Sequence, residues 1–163
     1  MGAGEPGPAA LEAARRLGRL VAEAGWVVLT GGRPAGVMEA ACAGARSVPG
    51  GFTVGILPSG REGPVSQEVD LAVFTGVGEA RNVINVLTSD VVVACGVEGA
   101  GTASEVALAL RLDRPTILLA PSAEAAAFFR TIRGAGRLHE VGTSEAAVET
   151  IEHTMGIARW PAR

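Results

Sequence analysis

Three times in this chain a run of apolar residues ends in a glycine-bearing turn that opens a helix. The runs are 26–30, 71–74 and 91–95, and the turns that follow carry Gly31-Gly32, Gly76 with Gly78, and Gly96 with Gly99 and Gly101. Few folds accept this pattern. A strand that is apolar at nearly every position is buried on both faces, so it needs covering layers on both sides. Parallel strands are joined by helical crossovers, and those crossovers are right-handed. The pattern therefore predicts an α/β fold with a doubly wound, mostly parallel sheet and helices on both faces. Ligands of such sheets sit at the carboxyl ends of the strands, where these turns leave.

The remaining segments fit that frame. Residues 8–25 read as a helix, with Leu11, Ala14, Leu17, Leu20 and Val21 at helical spacing and Gly25 as its stop. Residues 26–30 are a strand, 31–36 a turn, 37–45 a small-residue helix and 52–57 a second strand. A polar loop with Gly and Pro covers 59–69, and 71–74 is the third strand. A helix opens at Gly78 or Glu79 and runs to about Thr88. Strand 91–95, helix 102–112, strand 116–120 and helix 122–133 follow, with Phe128 and Phe129 expected on the apolar side. A short strand at 138–141 and a helix at 143–154, with Ser144 as its N-cap, close the chain. There is no repeat and no linker, so one domain over 1–163 is expected. The start is unusual, because Met1-Gly2-Ala3-Gly4 has the composition of a loop that would follow a strand. The expectation is a first strand that is missing or truncated.

Composition removes several classes of function. The chain has 163 residues, 48% hydrophobic and 19% charged, enough for a sizeable core and too apolar for disorder. It has no Tyr and only 4% aromatics, too few for a base-stacking platform. A formal net charge of −3 with no basic block argues against nucleic acid as a partner. No apolar run reaches the ~18 residues of a membrane span, and the N-terminus lacks a secretory pattern. A cytoplasmic location is expected. Cys42 and Cys95 stand apart in apolar contexts, and with His139 and His153 they form no metal-ligand spacing. They read as buried thiols and as surface or structural histidines, and no metal is expected.

The three turns each carry two readings. In the first, Gly31, Gly32 and Gly36 allow a ligand phosphate or ribose to approach the backbone, or they only turn the chain. Met38 behind them reads as core. In the second, Arg81 offers a planar fork of donors to an anion, or it is a solvated surface arginine. Asn82 bonds either a ligand or the turn, and Glu79 suits a helix start. In the third, Thr102-Ala103-Ser104-Glu105 has the form of a capping box, in which Thr102 and Glu105 satisfy each other's backbone N–H groups. Alternatively, Glu105 faces the ligand as a carboxylate, as general base or stabiliser of positive charge. Spacing alone favours the capping box.

Taken together, Gly31-Gly32-x-x-x-Gly36-Val37-Met38-Glu39-Ala40-Ala41, Arg81-Asn82 and Gly99-x-Gly101-Thr102-x-x-Glu105 resemble the LOG ("lonely guy"), or lysine-decarboxylase-like, family. The resemblance spans roughly 8–120 and lies nearest the branch with molybdenum-cofactor carrier proteins. It implies a Rossmann-like domain, usually a homodimer, that binds a phosphorylated, nucleotide-like ligand. In LOG enzymes that ligand is a nucleoside 5′-monophosphate whose N-glycosidic bond is hydrolysed. By this match Arg81 and Glu105 would be catalytic. Gly31, Gly32, Gly36, Asn82, Gly99, Gly101 and Thr102 would bind the ligand and its phosphate, and no cofactor would be required. The rival expectation is a non-enzymatic carrier of molybdenum cofactor or another phosphorylated small molecule, with the cofactor as cargo. Two departures bear on the choice. Val97-Glu98-Gly99 stands where the enzymes have Pro-Gly-Gly, and a second negative charge ~4 Å from a phosphate costs about 4 kcal/mol at an effective dielectric of 20. Asn82 and Asn85 stand where the enzymes have Lys and Met.

Overall fold

The computed structural model describes residues 1–2, 6–97, 99–132 and 137–156. Glu98 and residues 3–5 lie outside them. The elements run α1 (Pro8–Glu23), β1 (Val28–Thr30), α2 (Gly36–Arg46), β2 (Thr53–Leu57) and β3 (Leu71–Phe74). A single 3₁₀ turn at Gly78–Ala80 leads into α3 (Arg81–Thr88). Then come β4 (Val92–Cys95), α4 (Ala100–Arg111), β5 (Thr116–Leu119), α5 (Ala123–Arg130), β6 (Leu138–Val141) and α6 (Ser144–Met155).

All strand pairs are parallel, as the continuous apolar runs predict. They form two three-stranded sheets, β1-β2-β3 and β4-β5-β6. Val28 pairs with Thr53, Val54 with Leu71, Val92 with Thr116 and Thr116 with Leu138. Gly2 makes a parallel bridge to Cys95 alongside β4. The Met1 ammonium donates to the Val93 carbonyl and Cys95 N–H donates to the Met1 carbonyl. Met1 and Gly2 thus bond to β4 through a single bridge, outside the six strands. A Cβ on Gly2 would fall 2.4 Å from Val37 Cγ1, so α2 packs directly on this backbone.

The two faces of the second sheet separate by strand alternation. Cys95, Ile117 and Leu119 join the core shared with α1, α2 and α6. Ala94 and Leu118 point the other way, onto Val106, Leu110 and Phe129 of α4 and α5. The sheet is therefore covered on both sides. α1 and α2 approach so closely that backbone meets backbone. A Cβ on Gly18 would sit 1.9 Å from the Ala41 carbonyl oxygen, and one on Gly44 would sit 1.9 Å from that of Arg15.

Three local expectations are corrected. Thr143 caps α6, its hydroxyl accepting from Ala146 N–H, while Ser144 instead donates to the Ala13 carbonyl. Phe129 is core, but Phe128 is 60% exposed, because α5 is a short helix with only one face on the sheet. The third correction, at Thr102 and Glu105, concerns the site. Cys42 and Cys95 are both free and buried, and burial pushes both thiols up. Met38 is buried core. No helix among the described residues is long and apolar enough to cross a membrane.

Candidate functional site

The turn after β1 is locked by its own first residue. Thr30 Oγ1 accepts from Gly32 N–H at 3.1 Å, and the loop before β3 returns to it, with Ser66 N–H donating to the Gly32 carbonyl at 2.9 Å. A side chain at Gly31 would displace the Arg81 guanidinium. A Cβ there would stand 2.0 Å from Arg81 Nη1. The first and second turns therefore meet at one point, backbone against guanidinium.

Arg81 is the first residue of α3 and only 3% exposed, so it is no solvated surface arginine. Its Nη1 donates to the Ile56 carbonyl at 3.4 Å, and its buried Nε has no partner. Burial holds the guanidinium below its ordinary value, against the pull of the Glu105 and Glu79 carboxylates and with a further push from Arg33. A buried cation with an unused N–H is costly unless an anion completes it.

α3 presents its polar side chains inward. Arg81, Asn82 and Asn85 are buried, while Val83, Ile84 and Leu87 face outward. The inward side meets the first turns of α4. Asn82 Nδ2 donates to Ser104 Oγ at 3.2 Å, and Asn85 Nδ2 donates to Glu105 Oε1 at 2.9 Å. Glu105 is 7% exposed, and among the described residues no ion pair joins it directly to Arg81.

This arrangement overturns the capping box. The residue that caps α4 is Gly99, with no side-chain cap bond, so Thr102 and Glu105 lie inside the helix. Thr102 is buried, and Glu105 reaches across to α3 instead of back to its own backbone. The helix starts earlier than the capping pattern indicates because Gly99 takes an extended conformation and its carbonyl accepts from Ala103 N–H.

Of the sequence candidates, the fold brings together Gly31, Arg81, Asn82 and Glu105. Gly32 packs on Gly55 and Leu57, supporting the turn. Gly101 has open space beside it on the first turn of α4. Gly36 is set apart, lining a groove between α1 and α2 with Glu12, Glu39, Glu68 and a single Arg15. That groove is acidic and poorly suited to a phosphate. Asn85 and Ser104 were missed as site residues. The available signal was an arginine and two asparagines at i, i+1 and i+4 of an otherwise apolar helix, where asparagine is a poor helix former. Among the described residues, no group of three or more His, Cys, Asp or Glu side chains could hold a metal.

Comparison with known proteins agrees with this fold. The model of the SLOG cluster4 family matches residues 1–148. The molybdenum cofactor binding protein from the phototrophic bacterium Rippkaea orientalis is 46% identical in sequence, with a TM-score of 0.89 over 95% of this chain and 94% of that one. The molybdenum cofactor carrier protein from Chlamydomonas reinhardtii is 40% identical, with a TM-score of 0.88 over 96% of each chain. An uncharacterised protein from Archaeoglobus fulgidus is 41% identical over 121 residues, 74% of this chain and 78% of its own.

Proposed function

This chain belongs to the SLOG cluster4 family, a LOG-like family, and from that premise we propose that it is a binding and carrier protein for a phosphorylated small molecule, with molybdenum cofactor as its cargo. The observation that carries this reading is Arg81, a buried guanidinium with an unused Nε–H pressed against the Gly31 backbone. A phosphate or other ligand anion supplies the acceptor that this group lacks. Gly99, Gly101 and Thr102, at the start of α4, are the proposed phosphate-binding residues, since a helix N-terminus directs free N–H groups at an anion. Gly32 and Gly36 hold the first turn in shape. The reading covers residues 1–163 as one domain, in the cytoplasm, with no nucleic acid and no membrane partner.

The second reading is hydrolysis of a nucleoside 5′-monophosphate, and the pair Arg81 and Glu105 favours it. Breaking the N-glycosidic bond builds positive charge on the ribose, which the Glu105 carboxylate would stabilise while directing water. Asn85 occupies one of the two Glu105 oxygens. That leaves a single oxygen for this work and tilts the balance toward binding.

A homodimer is also proposed. α3 turns Val83, Ile84 and Leu87 outward, and edge strand β3 exposes Leu71 and Val73. A second copy would cover this apolar face.

One pair of assays separates the two functions. The protein is purified from cells and denatured, and bound pterin is sought by its fluorescence after oxidation. In parallel it is incubated with a panel of nucleoside 5′-monophosphates and free base is measured. The carrier reading expects released pterin and no base above an Arg81→Ala/Glu105→Ala double variant. Base release that needs both residues would establish the hydrolase instead.

A further inference from the structure

Among the described residues, the buried side-chain polar atoms without a hydrogen-bond partner are Arg81 Nε, Asn82 Oδ1 and Asn85 Oδ1. All three sit on one turn of α3. Buried polar groups are nearly always satisfied, so three orphans in one place call for a ligand. Two of the three are acceptors, and a phosphomonoester dianion has no N–H or O–H to offer them.

The amide orientations are fixed by their partners. The Ser104 hydroxyl donates to the Gly101 carbonyl at 2.8 Å, so it meets Asn82 through a lone pair, and the group facing it is the Asn82 NH₂. The Glu105 carboxylate can only accept, so Asn85 also turns its NH₂ toward α4. Both carbonyl oxygens are thereby left over. Glu105 Oε2 receives no hydrogen bond among the described residues. The wall beside Arg81 is thus made of acceptors: Asn82 Oδ1, Asn85 Oδ1 and Glu105 Oε2.

We propose that this wall selects ligands that carry hydrogen-bond donors next to their anionic group, and this rests on the phosphorylated-ligand reading above. Asn82, whose buried Oδ1 has no partner, accepts from the ligand directly. Asn85, with no exposed surface, is a positioning residue that fixes Glu105 so that its free oxygen accepts a second donor. Inorganic phosphate reaches Arg81 but brings no sugar hydroxyl or ring N–H to the wall. Two donor sources share this chemistry, the hydroxyls of a sugar phosphate and the N–H groups of a ring. A ring N–H beside an exocyclic amine suits a carboxylate especially well.

The test is calorimetric titration of the full chain with matched probes. Ribose 5-phosphate against 2-deoxyribose 5-phosphate reads the hydroxyl source. Deoxyguanosine against deoxyadenosine 5′-monophosphate reads the ring N–H source. The donor-richer member of at least one pair is expected to bind roughly tenfold tighter, and the pair that discriminates identifies the source. Asn82→Leu and Asn85→Leu should each collapse that ratio toward one. Arg81→Met should weaken every probe, inorganic phosphate included. Circular dichroism checks the fold of each variant, and if a leucine variant does not fold, the wild-type ratios alone decide. Binding without discrimination in either pair overturns the donor-reading wall and leaves the anion site standing. No binding of any phosphorylated probe overturns both.

Discussion

Two helix pairs in this molecule are built from opposite materials. The α1–α2 seam is closed by glycine, with Gly18 on the Ala41 carbonyl and Gly44 on that of Arg15. The α3–α4 seam is polar, joined through Asn82 to Ser104 and through Asn85 to Glu105, and it leaves three buried atoms unsatisfied. The first seam gains stability from close packing. The second carries a standing cost, since each buried orphan is worth about 1–3 kcal/mol. Under the binding reading proposed above, the polar seam serves the ligand and the glycine seam serves the fold.

Substitutions can break that separation or sharpen it. The largest effect on stability is expected from Gly44→Val. Its side chain has no space against the Arg15 backbone, and unfolding by urea should show a loss of about 3 kcal/mol. A neutral result would mean that the α1–α2 seam is slack. Arg81→Met should do the reverse. It removes a buried, incompletely paired cation, so the melting temperature should hold or rise, while affinity for a phosphorylated ligand falls roughly a hundredfold. If Arg81→Met instead unfolds the protein, the α3–α4 seam is structural and the contrast fails.

A smaller effect is expected on the outer side of α3. Leu87→Glu places a charge on the exposed apolar face and should shift the light-scattering mass from dimer to monomer, with the fold intact by circular dichroism. An unchanged mass would put the self-contact elsewhere. The smallest effect concerns the dry cores. Burial raises the Cys42 and Cys95 thiols, so the thiolate is scarce at neutral pH and becomes available only as pH rises through the elevated values. Both should resist a thiol-specific reagent at pH 8 and react after unfolding. Fast labelling of the native protein would show that this packing opens readily.

The same contrast explains what could be read from the sequence. Residues 71–74 are a strand at the expected bounds, because an apolar run between polar breakers has few alternatives. The close α1–α2 approach follows from glycines on facing helices. Glu105 is the instructive failure. Spacing within one helix fitted a capping box, yet the carboxylate is held by Asn85, twenty positions earlier in the chain. Arg81 shows the same thing from the other side. A lone arginine at a helix start reads as solvated, and only the β1 turn folding over it makes it buried.

Periodicity and glycine placement determined by themselves that this is a parallel α/β protein whose strands end in glycine-bearing turns. Those are local properties, set by backbone sterics and by which residues can be buried. The tertiary structure decided which polar side chains share a space. It brought the Gly31 backbone onto Arg81, turned the asparagines of α3 inward onto α4, and redirected Glu105 from its own helix to Asn85. Hydrogen-bond partners and desolvation depend on distances across the chain, and no local pattern encodes them.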